Sequence, residues 1–160
     1  MADASGGNGG PDIELTWTFE APREEVWREW TDPERFADWY GGPTGKVPLE
    51  TVSMDVRPGG KWSMVMHAQR GEIYWNGEYL EVVEPERLVF TVSDQPDQDL
   101  FDTCTVVLTE IDSDRTEMLF QQSGGHMPAA AYRRAKEGWS GFFRRIDERL
   151  RDFKRTGGNA

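Results

Sequence analysis

The sequence predicts an α+β domain in which a curved antiparallel sheet of about seven strands wraps one long C-terminal helix, with two short helices after strand 1. Three observations carry this. Near the C-terminus, Ala131, Ala135, Trp139, Phe142, Ile146, Leu150 and Phe153 recur at spacings of 4, 4, 3, 4, 4 and 3, the apolar stripe of an amphipathic helix. Between residues 47 and 122 the chain reads as short alternating segments separated by turn chemistry. Within that span, Asp55-Val56-Arg57-Pro58-Gly59-Gly60 opens one strand pair, and Gly77-Glu78 through Pro85-Glu86-Arg87-Leu88 closes another. A stripe as bulky as that of the helix must be covered, and the sheet is the surface available to cover it.

Taken in order, residues 1–11 have almost no apolar content and read as a disordered tail. Ile13, Leu15, Trp17 and Phe19 alternate with polar residues, a half-buried first strand. Pro22, Glu24 and Glu25 suit a helix start, and Val26, Trp27 and Trp30 form its buried face. Asp32 as N-cap and Pro33 at the first helical position begin a second short helix buried by Phe36 and Trp39 and ended by Gly41-Gly42-Pro43. Strands are expected at 47–56, 62–67, 72–83, 88–92, 101–111 and 116–122. Arg57-Pro58-Gly59-Gly60, Gln69-Arg70-Gly71, Glu84-Pro85-Glu86 and Asp112-Ser113-Asp114 are the turns, and 94–99 is a polar loop. The helix stripe then runs to Phe153, and residues 154–160 read as a second disordered tail. One domain, 12–153, lies between the tails.

Four motifs in this order, Thr31-Asp32-Pro33-Glu34 with Trp39 behind it, Asp55 to Gly60, Gly77 to Leu88, and Gly138-Trp139, resemble the helix-grip fold of the START-like (SRPBCC) superfamily. Within it the chain is similar to the domain named for the activator of the heat-shock protein 90 ATPase. The resemblance runs from about Leu15 to Leu150. It implies a pocket between sheet and long helix. It also implies company with small-molecule and lipid binders, aromatase/cyclase-type proteins and stress-response proteins. The eukaryotic chaperone activator carries an additional N-terminal domain that has no counterpart in residues 1–11.

Composition bounds the function. A chain of 160 residues suits one domain and buries roughly 70% of its unfolded surface. Seven Trp and eight Phe supply either a bulky core or a ring-lined cavity. The formal charge of −11 repels nucleic acid. Residues 127–155 nevertheless carry nine Lys or Arg against four Asp or Glu. That basic helix face is either a docking site for an acidic protein partner or a solvated face complementing the acidic sheet. Cys104 is the only cysteine, which fits a reducing compartment. With no secretory signal and no apolar run near 18 residues, no membrane span is expected, and the expected location is the cytoplasm. A homodimer is compatible with a domain of this size, though no residue specifies it.

The candidate ligand site is the face of the sheet turned to the helix. Trp62, Met64 and Met66 share one strand face, with Phe90, Phe120, Trp139, Phe142 and Phe143 opposite or beside them. Trp39 and Tyr40 sit at the expected mouth. The inward face of 72–80 is ambiguous, because Ile73, Trp75 and Tyr79 compete with Tyr74 and Leu80. Trp75 and Tyr79 are taken as candidates. Of the polar residues, Glu78 and His126 are added to the site, while His67, Glu72, Tyr74, Asn76, Gln121 and Gln122 remain alternatives. A buried Glu78 would have a raised pKa and the makings of an acid or base.

Two His and one Cys at scattered positions make no zinc pattern, and no Gly-x-Gly-x-x-Gly or P-loop points to a nucleotide. Gly138-Trp139-Ser140-Gly141 lies inside a helix and is not a nucleophile elbow. No metal, cofactor or catalytic residue is therefore assigned. The leading expectation is a non-enzymatic binder of a small apolar or amphipathic molecule. The alternatives are a chaperone- or regulator-interacting module and a cyclase- or hydrolase-like enzyme. The enzyme would need paired titratable groups in the cavity, and no spacing in the sequence announces such a pair.

Overall fold

A computed structural model describes residues 10–41, 45–69, 71–94 and 100–155. Residues 1–9 of the expected tail 1–11, residues 156–160 of the expected tail 154–160, the Gly42-Pro43 stop and most of the polar loop lie outside them. Strand β1 (Ile13–Phe19) leads into helices α1 (Arg23–Thr31) and α2 (Pro33–Trp39). Then come β2 (Ser53–Met54), β3 (Lys61–Ala68), β4 (Gly71–Val83), β5 (Arg87–Val92), β6 (Asp102–Asp112), β7 (Arg115–Ser123) and α3 (Ala129–Arg155). The seven strands form one antiparallel sheet in the order β1-β7-β6-β5-β4-β3-β2. The first strand returns beside the last, so β1 and β2 are the two edges. The helix-grip prediction holds: α3 crosses the inner face.

Each short helix begins as the sequence predicts. Asp32 Oδ1 accepts a hydrogen bond from the Glu34 amide at 2.9 Å, with Pro33 at the first position of α2. Along every inner strand the period of two sends alternate residues to the core. Trp62, Met64 and Met66 are buried from β3, Leu88, Phe90 and Val92 from β5, and Cys104, Val106 and Leu108 from β6. Met118 and Phe120 are buried from β7. The ambiguity in β4 resolves one way. Trp75, Gly77 and Tyr79 turn inward, while Tyr74, Glu78 and Leu80 are exposed.

Two expectations are corrected. The segment 47–56 is not one strand. Pro48 starts a single 3-10 turn at Leu49–Thr51, and only Ser53 and Met54 pair with β3. Proline cannot donate to a ladder, and the Thr51 hydroxyl donates back to the Pro48 carbonyl at 2.7 Å, closing the turn. Second, α3 runs to Arg155, beyond the 154 boundary drawn for the C-terminal tail. Lys154 reaches the Glu20 carbonyl at 3.5 Å, and Phe153 takes the Arg35 guanidinium over its ring at 5.8 Å.

Two glycines are demanded by close approach. Gly59 and Tyr79 exchange backbone groups across the Asp55–Gly60 turn, with Gly59 N–H to the Tyr79 carbonyl and Tyr79 N–H to the Gly60 carbonyl, both 2.8 Å. A Cβ on Gly60 would lie 1.9 Å from the Asp55 carbonyl oxygen. A Cβ on Gly77 would lie 1.7 Å from the Thr91 carbonyl oxygen and 2.6 Å from Trp62 Nε1. That same carbonyl accepts the Trp62 indole N–H at 3.0 Å. Gly60 thus lets the turn close on Asp55, and Gly77 lets β4 press against its neighbours.

One polar contact inside the molecule escapes the sequence. Glu29 on α1 is 1% exposed. Its carboxylate accepts from Arg149 Nε at 2.8 Å and lies 3.5 Å from Arg35. Arg149 also pairs with Asp38 of α2, as does Arg145. The basic helix face is therefore partly consumed in holding α1 and α2 against α3. Burial raises the Glu29 carboxyl above its ordinary 4.5, and the charges of Arg149 and Arg35 oppose that rise.

Gly77→Ala is expected to destabilise by on the order of 3 kcal/mol. Gly138→Ala, whose Cβ meets open space, should be neutral or stabilising by up to about 1 kcal/mol. Urea unfolding of the two variants measures the contrast. For the ion pair, a carboxyl raised in the folded state binds its proton more readily there than in the unfolded chain. Its contribution to stability therefore falls as pH climbs from about 4.5 through the raised value. Arg149→Ala leaves that carboxylate short of its main partner. It should cost about 3–5 kcal/mol at neutral pH, with the deficit narrowing as the pH is lowered towards 4.5 in urea titrations.

Candidate functional site

The long helix changes character along its length. Its C-terminal part presents Trp139, Phe143, Ile146 and Leu150, all buried, and these fill the sheet beneath. Its N-terminal part presents Ala131, Ala135 and Gly138. Small side chains there leave a gap, and a cavity of about 280 Å³ opens between that part of α3 and the strands. Tyr40 behind α2, Trp75 of β4, and Trp139 and Phe142 of α3 are its aromatic walls. Tyr40 stands edge-on to Trp75 at 5.7 Å and to Trp139 at 5.9 Å, near-perpendicular packing that the ring quadrupoles favour. Burial pushes the Tyr40 phenol well above its ordinary value, with the charges of Cys104 and Asp94 adding to it.

The polar wall is built by antiparallel register. In the β6–β7 pair Cys104 lies opposite Gln122, and two residues along β6 the side chain of Asp102 reaches the same inner face. Asp102 is 3% exposed and Gln122 is also buried. The Trp139 indole N–H donates to Gln122 Oε1 at 2.8 Å, and Gln122 Nε2 donates to Asp102 Oδ2 at 2.7 Å. An indole nitrogen only donates, so Trp139 sets the orientation of the amide and presents an N–H to the carboxylate. The other oxygen, Oδ1, lies 2.6 Å from Nε2 of His126, at an angle outside a well-aligned hydrogen bond. His126 lines the cavity with its side chain 31% exposed.

His126 is held there by a glycine turn. The amides of Gly124 and Gly125 both donate to Asp12 Oδ2 at 2.9 Å, and Gly125 has φ of 72°. A Cβ on Gly124 would sit 1.7 Å from Asp102 Oδ1. Only glycine lets the turn lie on that carboxylate. Tyr132, one turn into α3, is buried near the same group. Its phenol is pushed up to about 12, first by burial and then by the charges of Asp102 and Asp12.

Among the fourteen predicted site residues, five line this cavity: Tyr40, Trp75, His126, Trp139 and Phe142. Trp39, Trp62, Met64, Met66, Tyr79, Phe90, Phe120 and Phe143 are buried in the core instead. Trp39 donates its indole N–H to the Glu29 carbonyl at 2.6 Å. Phe120 and Phe143 pack with Trp30 and Trp139, Phe120 to Trp139 at 4.4 Å between centroids. Glu78 points away, exposed on the outer face of β4 with only its backbone N–H held by Thr91 Oγ1 at 2.9 Å. The bulge between Tyr79 and Glu81 lies beyond it, so the period of two already places Glu78 opposite Trp75 and Gly77. Asp102 was missed altogether. Gln122 was considered only as an alternative. Cys104 is fully buried on β6, and burial pushes its thiol well up. Among the described residues no three His, Cys, Asp or Glu side chains gather as a metal-binding group. No described helix is long and apolar enough to cross a membrane.

Comparison with known families matches residues 20–151 to the family described as Activator of Hsp90 ATPase homolog 1-like protein. The chain belongs to that family. Solved structures of similar fold come from several bacteria. Protein CV1439 of Chromobacterium violaceum is 25% identical with a TM-score of 0.74, over 86% of this chain and 96% of its own. Protein Ms6760 of Mycobacterium smegmatis is 26% identical with a TM-score of 0.72, over 86% and 88%. A protein of Arthrobacter aurescens, 23% identical, shares the fold with a TM-score of 0.73 over 87% and 85%. A comparison with curated proteins found no match. Membership in the Hsp90 ATPase activator homologue-like family fits the seven-stranded sheet and the grip of α3.

Gln122→Leu removes one partner from Trp139 and one from Asp102. It should destabilise by about 1–3 kcal/mol. The adjacent Gln121→Leu, on the opposite face with a single 3.5 Å contact to Glu14, should change stability by less than about 0.5 kcal/mol. Thermal or urea melts of the two variants compare them directly.

Proposed function

We propose that this domain binds a small apolar or amphipathic molecule in the cavity between α3 and the inner face of the sheet. The observation that supports this reading is the cavity itself, with its four aromatic walls and a polar wall of His126, Asp102 and Gln122. Binding sites of this type are concave and mainly apolar, with a few placed polar groups. A volume of about 280 Å³ is at the small end of the usual range of roughly 300–1,000 Å³. It suits a molecule of one or two rings better than a long acyl chain. The charge of the walls points the same way. No Lys or Arg lines the cavity among the described residues, so an anionic headgroup would find no fixed cation.

The basic face of α3 gives less support to a protein-docking reading. Arg145, Arg149, Arg151 and Arg155 each pair with an acidic side chain of the same chain. Charges already matched inside the molecule have less to offer an outside partner.

Native mass spectrometry of the freshly purified protein, compared with a denatured sample, is expected to show an additional small mass that denaturation releases. Titration with 1-aminonaphthalene should quench tryptophan fluorescence saturably. Ala135→Phe, which puts a ring into the gap, should abolish that quenching while leaving the unfolding free energy from urea titration within about 1–3 kcal/mol of the parent. Unchanged quenching in Ala135→Phe would overturn the reading.

A further inference from the structure

The cavity contains a pair of titratable groups, His126 and Asp102, that no spacing in the chain relates. Asp102 is buried behind His126, and His126 faces the cavity. Behind Asp102 stands a second layer, Gln122 and then Trp139, whose donor directions hold the carboxylate as an acceptor. Nε2 is the ring nitrogen turned to Asp102, which leaves Nδ1 to meet a ligand. A buried acid orienting an accessible imidazole, with a further residue orienting the acid, is the arrangement a general base requires. Loosely aligned contacts between catalytic groups tighten when substrate binds.

The surroundings bear this out. The glycine turn spends two backbone hydrogen bonds and a glycine-only approach to place His126 on Asp102. Asp102 of β6 adjoins the imidazole at 2.6 Å and Asp94 lines the same cavity. Among the described residues no Lys or Arg lines it.

We propose that His126, positioned by Asp102, is a general base at the cavity wall, acting on an uncharged molecule of one or two rings that carries an acidic C–H. The proposal rests on the reading that the cavity binds a small molecule. In the step, Nδ1 takes the proton and the C–H electron pair stays with the substrate. That pair forms a π bond as a leaving group departs with its own bonding electrons. The exposed edge of the imidazolium then returns the proton to water. No oxidant, reductant or further co-reactant enters. His126 is the catalytic residue, and Asp102 is a positioning residue.

The test uses the full chain with 5-nitrobenzisoxazole, an uncharged two-ring probe. Loss of its C–H proton to a base breaks the ring N–O bond and releases a coloured cyanonitrophenolate. Saturable turnover at least about 100-fold above the uncatalysed rate is expected. His126→Gln, checked for an unchanged melting profile, should fall to background, and free imidazole should restore part of the activity of His126→Ala. Asp102→Asn should lower kcat at least tenfold with KM within twofold, a split that a purely structural role would not produce. A rate no faster than background in the parent, or full activity in His126→Gln, overturns the proposal. Binding of 5-nitroindazole, which has no cleavable N–O bond, separates the two readings. If it quenches tryptophan fluorescence saturably while the probe is not turned over, the cavity reading stands and the base falls. If neither occurs, both fall.

Discussion

Trp139 is the residue on which core and site both depend. Its ring packs against Phe120 at 4.4 Å and against Trp30 and Phe143. These are the side chains that clamp α3 to the sheet. The same indole donates to Gln122, and through Gln122 it holds Asp102. A ring locked by packing has one N–H direction available, so the polar chain inherits the rigidity of the core. That coupling is costly to break from either end. Losing the ring leaves a large void, and losing the amide strands a buried carboxylate.

Around that centre the domain divides its work between the two ends of α3. At the C-terminal end, bulky stripe residues fill the sheet, and Arg149 ties Glu29 and Asp38 to the helix. A buried ion pair of this kind adds little to stability against an apolar alternative. It does specify where α1 and α2 sit, because a carboxylate 1% exposed must keep its cationic partners in place. At the N-terminal end the same helix is thin, and the space it fails to fill is the cavity.

Much of this was legible in the residues. Period two in β1, β3, β5, β6 and β7, the stripe of α3 and the Asp32-Pro33 helix start are local signals, and each element lies where they place it. The shortfall at 47–56 is also local, since Pro48 interrupts an apolar pattern that otherwise suits a strand. What local pattern cannot supply is which part of the inner face α3 covers closely. Trp62, Met64 and Phe90 point inward as expected, yet they sit beneath well-filled parts of the fold and are core. Asp102, Gln122 and His126 come from separate segments joined by strand register and a glycine turn, and no spacing in the chain relates them. The one available clue was Gly124-Gly125 before His126, a hint of close approach with nothing to say what was approached.

The position of the cavity was nonetheless written in the helix stripe, in volumes and not in period. An apolar stripe of even bulk would press α3 flat against the sheet along its length. Here Ala131 and Ala135 are followed by Trp139, Phe142, Phe143, Ile146 and Leu150. Trp139, Phe143, Ile146 and Leu150 are buried at one end, whereas Ala131 and Ala135 line the cavity at the other. The short alanine side chains leave unfilled the space that bulkier ones would take, so the gap follows from the mismatch. Trp75 of β4 and Tyr40 behind α2 stand at its sides, and a buried polar pair stands at the end, in place of larger apolar residues that would close it. A core selected only for stability would fill such a gap, since each unfilled methylene costs about 1 kcal/mol. Keeping it open, with a carboxylate buried in its wall, is what supports the proposed binding reading.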